Sequence, residues 1–311
     1  MRLAVISDIH GNLPALETVL EDAGNNHVDN YIFVGDYCLS NPYPNECIQR
    51  IRGLEKKYII RGNEEKYLEN LIGKDQTMWT DGQMQISYYC YRAISTDNLD
   101  FLLSMPNTLK LTYNDIDLHI AHSSAEFIDD CEHREWSTSQ VAKRYMDKNV
   151  TSDSFRADIC NYFDNNDKFQ RILKQLEQGI YIFGHSHIQW SYQSKDKTIL
   201  INPGSCGLPL DGVTGSIPYT ILDISDTGNI TVEEKRIPFD MDEYIKILVK
   251  SDQFLIASVW SKIIIKELRT SREHLFFFLR FVEQYAEKIG DMRRPFGLDT
   301  WENAYKLWVK Q

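Results

Sequence analysis

Four histidines, two aspartates and one asparagine stand where short apolar runs end. Residues 3–7 lead into Asp8 and His10, residues 31–35 into Asp36, and residues 58–62 into Asn63. Residues 118–121 lead into His122, and residues 180–184 into His185 and His187. Asp8 and His10 are two residues apart on one loop, so both can face one ion, and His185 and His187 repeat that spacing. Seven N and O donors are too many for one tetrahedral ion but suit two ions that share a bridge. Asp36, alone after its run, is the candidate bridge, because each oxygen of a carboxylate has lone pairs to offer. A donor set without thiolate favours manganese, iron, zinc or cobalt over magnesium or calcium. Two divalent ions against two carboxylates and one hydroxide leave a surplus of about one positive charge, which attracts an anion. Such a pair of ions, about 3.5–4 Å apart, clamps phosphoryl oxygens and supplies a nucleophilic hydroxide between them. The chemistry expected of these residues is metal-assisted hydrolysis of a phosphoester.

The runs that carry the donors must be strands, because open α/β sheets gather ligands beyond the carboxyl ends of their strands. The first 62 residues alternate strand and helix, with Pro14 opening one helix and a second over residues 45–56, which predicts a parallel βαβαβ unit. Residues 109–113 and 116–121 flank Asn114-Asp115 and read as a hairpin. Residues 137–178 read as helical, and strands return at 181–183, 189–193, 198–201, 219–224 and 230–236, the last two joined by a turn at 226–229. The expectation is an α/β protein, a strand-rich sandwich with helices outside. Composition shifts near Phe239, which divides the chain into residues 1–239 and a helical C-terminal extension, 240–311, of three or four helices. The aromatic faces of that extension, such as Phe276 to Phe278 and Trp301 to Trp308, predict packing or a homo-oligomer contact rather than a lid over a site.

The segments Asp8-Ile9-His10-Gly11-Asn12, Gly35-Asp36, Gly62-Asn63, His122 and Gly184-His185-Ser186-His187, followed by Asn202-Pro203-Gly204-Ser205, resemble the calcineurin-like metallophosphoesterase superfamily, in particular its small bacterial phosphodiesterase-type branch. The resemblance covers about the first 240 residues. It implies a four-layer α/β/β/α sandwich. It also implies that Asp8, His10, Asp36 and His187 hold one metal, and that Asp36, Asn63, His122 and His185 hold the other. Members are often manganese-dependent, so manganese leads the expected cofactors, with iron, zinc, cobalt or magnesium as alternatives.

One departure bears on mechanism. The family commonly has a histidine after the Gly-Asn pair, which protonates the leaving group, and this chain has Glu64 there. A carboxylic acid can do that work only with its pKa raised well above about 4.3; otherwise Glu64 is an acid favoured by a helix start. Without such an acid, diesters and nucleotides, dinucleoside polyphosphates among them, become better substrates than alkyl monoesters. Asn12 and Tyr37, beside ligands, are candidate substrate contacts. His27, His119, His133 and His274 fall outside the pattern and are read as non-ligands, and Arg61 as a local ion-pair partner. The alternatives are a phosphomonoesterase or protein Ser/Thr phosphatase on the same metals, and a non-catalytic interaction scaffold on the same fold. The Glu64 replacement argues against the phosphatase, and the full ligand set against the scaffold.

Composition sets the remaining bounds. The chain has 311 residues, 42% hydrophobic and 25% charged, and a net charge of −11. That charge excludes long nucleic acid as a partner, which needs a basic face. No run reaches the roughly 18 apolar residues of a membrane helix. Six cysteines without a C-x-x-C pair support neither structural zinc nor a disulfide framework. The expected protein is a reduced, cytoplasmic enzyme acting on a small phosphorylated substrate.

Overall fold

The computed structural model describes residues 1–146 and 148–310. Ten strands are β1 (Arg2–Ile6), β2 (Asn30–Phe33), β3 (Lys57–Ile59), β4 (Thr108–Tyr113), β5 (Ile116–Ala121), β6 (Ile180–Ile182), β7 (Gln189–Gln193), β8 (Ile199–Pro203), β9 (Ser216–Ile224) and β10 (Ile230–Pro238). They form two five-stranded sheets, ordered β10-β9-β1-β2-β3 and β4-β5-β6-β8-β7. The parallel core of the first is β1-β2-β3, with β9 and β10 added antiparallel. The second has β5, β6 and β8 parallel inside antiparallel β4 and β7. Asn114 and Asp115 both take positive φ between β4 and β5, as a two-residue hairpin turn requires.

Side-chain alternation explains why the central strands read as unbroken apolar runs. Leu3, Val5, Ile32, Val34 and Ile60 of the first sheet pack against Leu118, Ile120, Ile180, Ile182, Ile199 and Ile201 of the second. The intervening Ala4, Ile6 and Phe33 face Leu16, Val19 and Ile48 on helices Leu13–Asn25 and Pro44–Arg52. Tyr181, Phe183 and Leu200 face Ile159, Phe163 and Phe169 on helices Ser152–Asp164 and Asp167–Leu173. Strands covered on both faces have no polar side. The layers are therefore helix, sheet, sheet, helix, as the resemblance implies. Between β3 and β4 the chain adds helices Glu64–Glu69, Gln85–Ala93 and Thr96–Ser104, which the motif pattern does not foretell.

After β10 come five helices rather than three or four: Met241–Val249, Asp252–Ile256, Ser258–Thr270, Leu275–Ile289 and Leu298–Trp308. Short breaks at Lys250-Ser251 and Ala257 divide what the apolar spacing suggests is fewer, longer segments. Phe278 and Trp301 are buried among these helices, as their aromatic spacing predicts. Met241, Tyr244 and Leu268 pack on Leu208 and Leu210 of the phosphoesterase-like layers. Tyr244 Oη donates to Asn41 Oδ1 (3.0 Å), and Gln253 Nε2 donates to the Ser40 carbonyl (2.7 Å). The helices are thus bonded to the loop that follows Asp36. No described helix is long and apolar enough to cross a membrane.

Candidate metal centre

All seven donors leave the same end of the two sheets, and five sit on unusual backbone. Asp8, His10, Asp36, His185 and His187 have φ between 52° and 67°, a left-handed region that Asp and His enter more readily than most residues. Each such residue costs on the order of 1–3 kcal/mol unless its surroundings hold it. Here hydrogen bonds between loops do so. Asp8 N donates to the Gly35 carbonyl (3.1 Å), His10 N to that of Asp36 (3.0 Å), and Gly184 N to that of His122 (2.9 Å). Ser205 Oγ donates to the Asp8 carbonyl (2.7 Å), and Asn202 Nδ2 to that of Gly184 (2.9 Å). Two glycines let backbone approach the carboxylates: a Cβ on Gly62 would collide with Asp36, and one on Gly184 with Ser7 and Asp8.

The donors form two groups whose ligand atoms lie within 4.8 Å of one another: Asp8, His10 and His187, and Asp36, His122 and His185. A third such group, His10, Asp36 and Glu64, puts Asp36 within reach of the first set as well. Asn63 Oδ1 lies 3.0 Å from His122 Nε2, and Asp36 Oδ2 lies 3.2 Å from the same nitrogen. His122 Nδ1 donates to the Val34 carbonyl (2.6 Å) and His187 Nδ1 to that of Leu208 (2.8 Å). Those bonds fix the tautomer that leaves each Nε2 free to ligate. His10 does the same through Glu64: its Nδ1 lies 2.9 Å from Glu64 Oε2, and its Nε2 faces His187 Nε2 at 2.9 Å.

Two features show that these residues fit cations. Asp8 Oδ1 is wholly buried without a hydrogen-bond partner, 3.6 Å from His187 Nε2. The local field also favours one positive charge in each group. Burial pulls His10 down, but the charge and hydrogen bond of Glu64 overcome it and raise His10 to about 9. Burial likewise opposes His122, yet Asp36 raises it to about 10 and is itself held far below the carboxylate range by His122. Burial, then the charge on His10, pushes His187 down to about 4, and burial and His122 lower His185.

Glu64 begins the helix Glu64–Glu69, and its side chain is only 13% exposed. Burial raises its carboxyl to about 8, opposed by His10 and aided by Asp36. His10 and Glu64 both move upward although their contact would push them apart. We assign the shared proton to His10 Nδ1, because that tautomer leaves a free lone pair on Nε2, the nitrogen that faces His187 and Asp8.

Asn12 and Tyr37, expected as substrate contacts, have their polar groups engaged by the protein itself. Both are fully buried. Asn12 caps the following helix, accepting from Ala15 N (3.2 Å) and donating to the Gly207 carbonyl (3.0 Å). Tyr37 Oη donates to the Ile60 carbonyl (2.7 Å). Neighbouring a ligand in sequence does not aim a side chain at the ligand's site. His133, outside the donor pattern, lies nearby, its ring stacked 5.7 Å from that of His185. Arg61 pairs with Glu69 (3.2 Å).

Sequence reasoning missed two groups. Glu65 is buried and accepts from Gly62 N (2.8 Å), Tyr37 N (2.9 Å) and Asp36 N (3.2 Å), locking two ligand loops together. A second acid at the start of a helix was its only signal. The metal cleft, about 210 Å³, is also walled by Thr138 and by Ile264, Glu267, Glu273 and Leu275 of the C-terminal helices. The extension therefore forms one side of the site as well as packing on the core. A larger hollow of about 780 Å³, between Trp136, Tyr145 and Asn165, contains none of the donors.

A calcineurin-like phosphoesterase superfamily domain matches residues 1–227, and the chain belongs to that superfamily. Its members depend on metal, and the two donor groups lie within the matched segment. An uncharacterised protein of Methanocaldococcus jannaschii is 27% identical over 270 residues, spanning 80% of this chain and 92% of its own length. A metallophosphoesterase from Sphaerobacter thermophilus superposes with a TM-score of 0.59 at 21% identity, over 87% of this chain and 99% of that one. A hypothetical protein from Pyrococcus horikoshii gives 0.56 at 16% identity, over 88% and 99%. These two share the fold.

Proposed function

We propose that this chain is a phosphodiester hydrolase that works with two divalent cations, manganese foremost. Asp8, His10 and His187 would hold one, Asn63, His122 and His185 the other, and Asp36 could serve either. The observation that carries this reading is the pair of facing donor groups, with Asp36 in reach of both. When bound, the cations supply Lewis acidity and an activated water. The protein's own residues do the rest. The backbone bonds of His122 and His187, and the Glu64 bond of His10, hold each imidazole with Nε2 toward the neighbouring donors. Glu65 keeps the Asp36 and Asn63 loops in register. Burial lifts Glu64 to about 8, as a leaving-group acid requires, but its Oε2 is engaged by His10 Nδ1 (2.9 Å), so we assign it as a positioning residue that orients His10; with Glu64 where the family commonly has a histidine, the site then has no leaving-group acid. Diesters and nucleotides with good leaving groups suit such a site better than alkyl monoesters. All six cysteines are free, which supports a reducing compartment such as the cytoplasm.

The test is hydrolysis of bis-p-nitrophenyl phosphate with manganese, alongside p-nitrophenyl phosphate. The wild-type protein should favour the diester, and Asp36→Ala and His185→Ala should each lose at least 100-fold in kcat/KM. Full activity in either variant contradicts the two-cation assignment, and a tenfold monoester preference contradicts the diester assignment.

A further inference from the structure

A second cavity of about 330 Å³ adjoins the metal cleft, and Ser40, Asn63, Glu64 and Leu275 line both. Beyond that shared boundary the walls become apolar. Leu39 and Met84 come from the phosphoesterase domain, and Trp260, Leu275 and Leu279 from the C-terminal helices, with Tyr67 about half exposed. Trp260 donates its indole N–H to the Gln83 carbonyl (2.8 Å), so its polar edge is spent and its ring is left as wall. Gln83 is engaged too, its Oε1 accepting from Phe296 N (3.0 Å). Among the described residues, no lysine or arginine lines either cavity; Glu64 lines both, and Glu267 and Glu273 line the metal cleft alone. Arg293 and Arg294 of the extension are bound by Asp291, Asp299 and Glu283.

From these observations we infer that the second cavity is a specificity pocket for one uncharged, mainly apolar ester group of the substrate, such as a single aromatic ring. Its volume is at the small end for ligand pockets, enough for one ring-sized group. Apolar walls favour burying such a group, and without a cationic side chain in the described lining, further phosphates or carboxylates beside the scissile one would be buried unpaired. The inference rests on the phosphodiesterase reading and narrows it: simple aryl or alkyl diesters are selected over dinucleoside polyphosphates. It also assigns a role to the C-terminal helices, which supply Trp260, Leu275 and Leu279 to the pocket wall.

The test uses the manganese-loaded protein and three phosphonates as competitors of bis-p-nitrophenyl phosphate hydrolysis. Phenylphosphonate should inhibit at least tenfold more strongly than methylphosphonate, and 4-carboxyphenylphosphonate should lose that advantage. Met84→Asp and Leu279→Asp each place a charge in the cavity lining, one from the phosphoesterase domain and one from the C-terminal helices, and each should erase the difference between the phenyl and methyl compounds. Thermal unfolding identifies a misfolded variant, and the wild-type ratio decides the matter without either. Hydrolysis with equal phenyl and methyl inhibition, or folded variants that keep the preference, overturns the pocket alone. Absence of both hydrolysis and phosphonate inhibition overturns the metal reading, and the pocket with it.

Discussion

Replacing Glu64 separates two roles that a carboxyl group can play beside bound cations. Its Oε2 is 2.9 Å from His10 Nδ1, and its side chain is 13% exposed. A hydrogen bond to a charged group contributes about 1.5–3 kcal/mol, and each 1.4 kcal/mol is a factor of ten in an equilibrium. Loss of an outer carboxylate behind a ligating histidine typically costs about 10–100-fold in metal affinity. Glu64→Ala should therefore bind manganese roughly 10- to 100-fold more weakly. At saturating manganese its kcat should stay within a few-fold of wild type, whatever the leaving group. Glu64→Gln keeps an acceptor facing His10 Nδ1 and should fall between. The assay is a manganese titration by calorimetry and by activity, repeated with aryl diesters of rising leaving-group pKa. A general acid would behave otherwise: kcat would drop by about 10²–10⁴-fold for poor leaving groups at unchanged manganese affinity. That pattern would refute the positioning role.

Protons and cations compete for the same nitrogens, which gives a pH dependence. His10 and His122, raised to about 9 and about 10, hold protons at pH 7 that a cation must displace. Apparent manganese affinity should rise from pH 7 to pH 9, with proton release detected by calorimetry in buffers of different ionisation enthalpy; affinity independent of pH would contradict it. Groups raised above their unfolded value of about 6.5 stabilise fully below that pH and lose the contribution as pH passes their folded value. The Tm of metal-free protein should accordingly fall between pH 7 and pH 10, and a rising Tm would refute this. Tyr37→Phe removes a buried hydrogen bond to Ile60. It should cost about 1 kcal/mol of stability in urea unfolding and leave kcat/KM within twofold, whereas a tenfold activity loss at unchanged stability would restore Tyr37 as a substrate contact.

The ligands were legible because of how their strands are covered. A strand buried on both faces reads as an apolar run, so the polar residue that ends it stands out, as Asp8, Asp36 and His122 do. Left-handed φ at five of the seven was a further latent signal, since Asp and His tolerate it where most residues do not. The orientation of their neighbours was not legible. Asn12 and Tyr37 flank ligands but turn inward, one to cap a helix and the other to reach the Ile60 carbonyl. The C-terminal wall was hidden for a different reason. An apolar stripe on a helix reveals that something covers it, not whether that is core, another subunit or the side of a cleft, so Ile264 and Leu275 look alike in sequence whatever they face.

Two cations between the facing donor groups would scatter anomalously in manganese-loaded crystals, which tests their presence directly. Two peaks are expected. One lies among Asp8, His10 and His187, and the other among Asn63, His122 and His185, with Asp36 adjoining both. A single peak at saturating manganese, or peaks away from these residues, would contradict it.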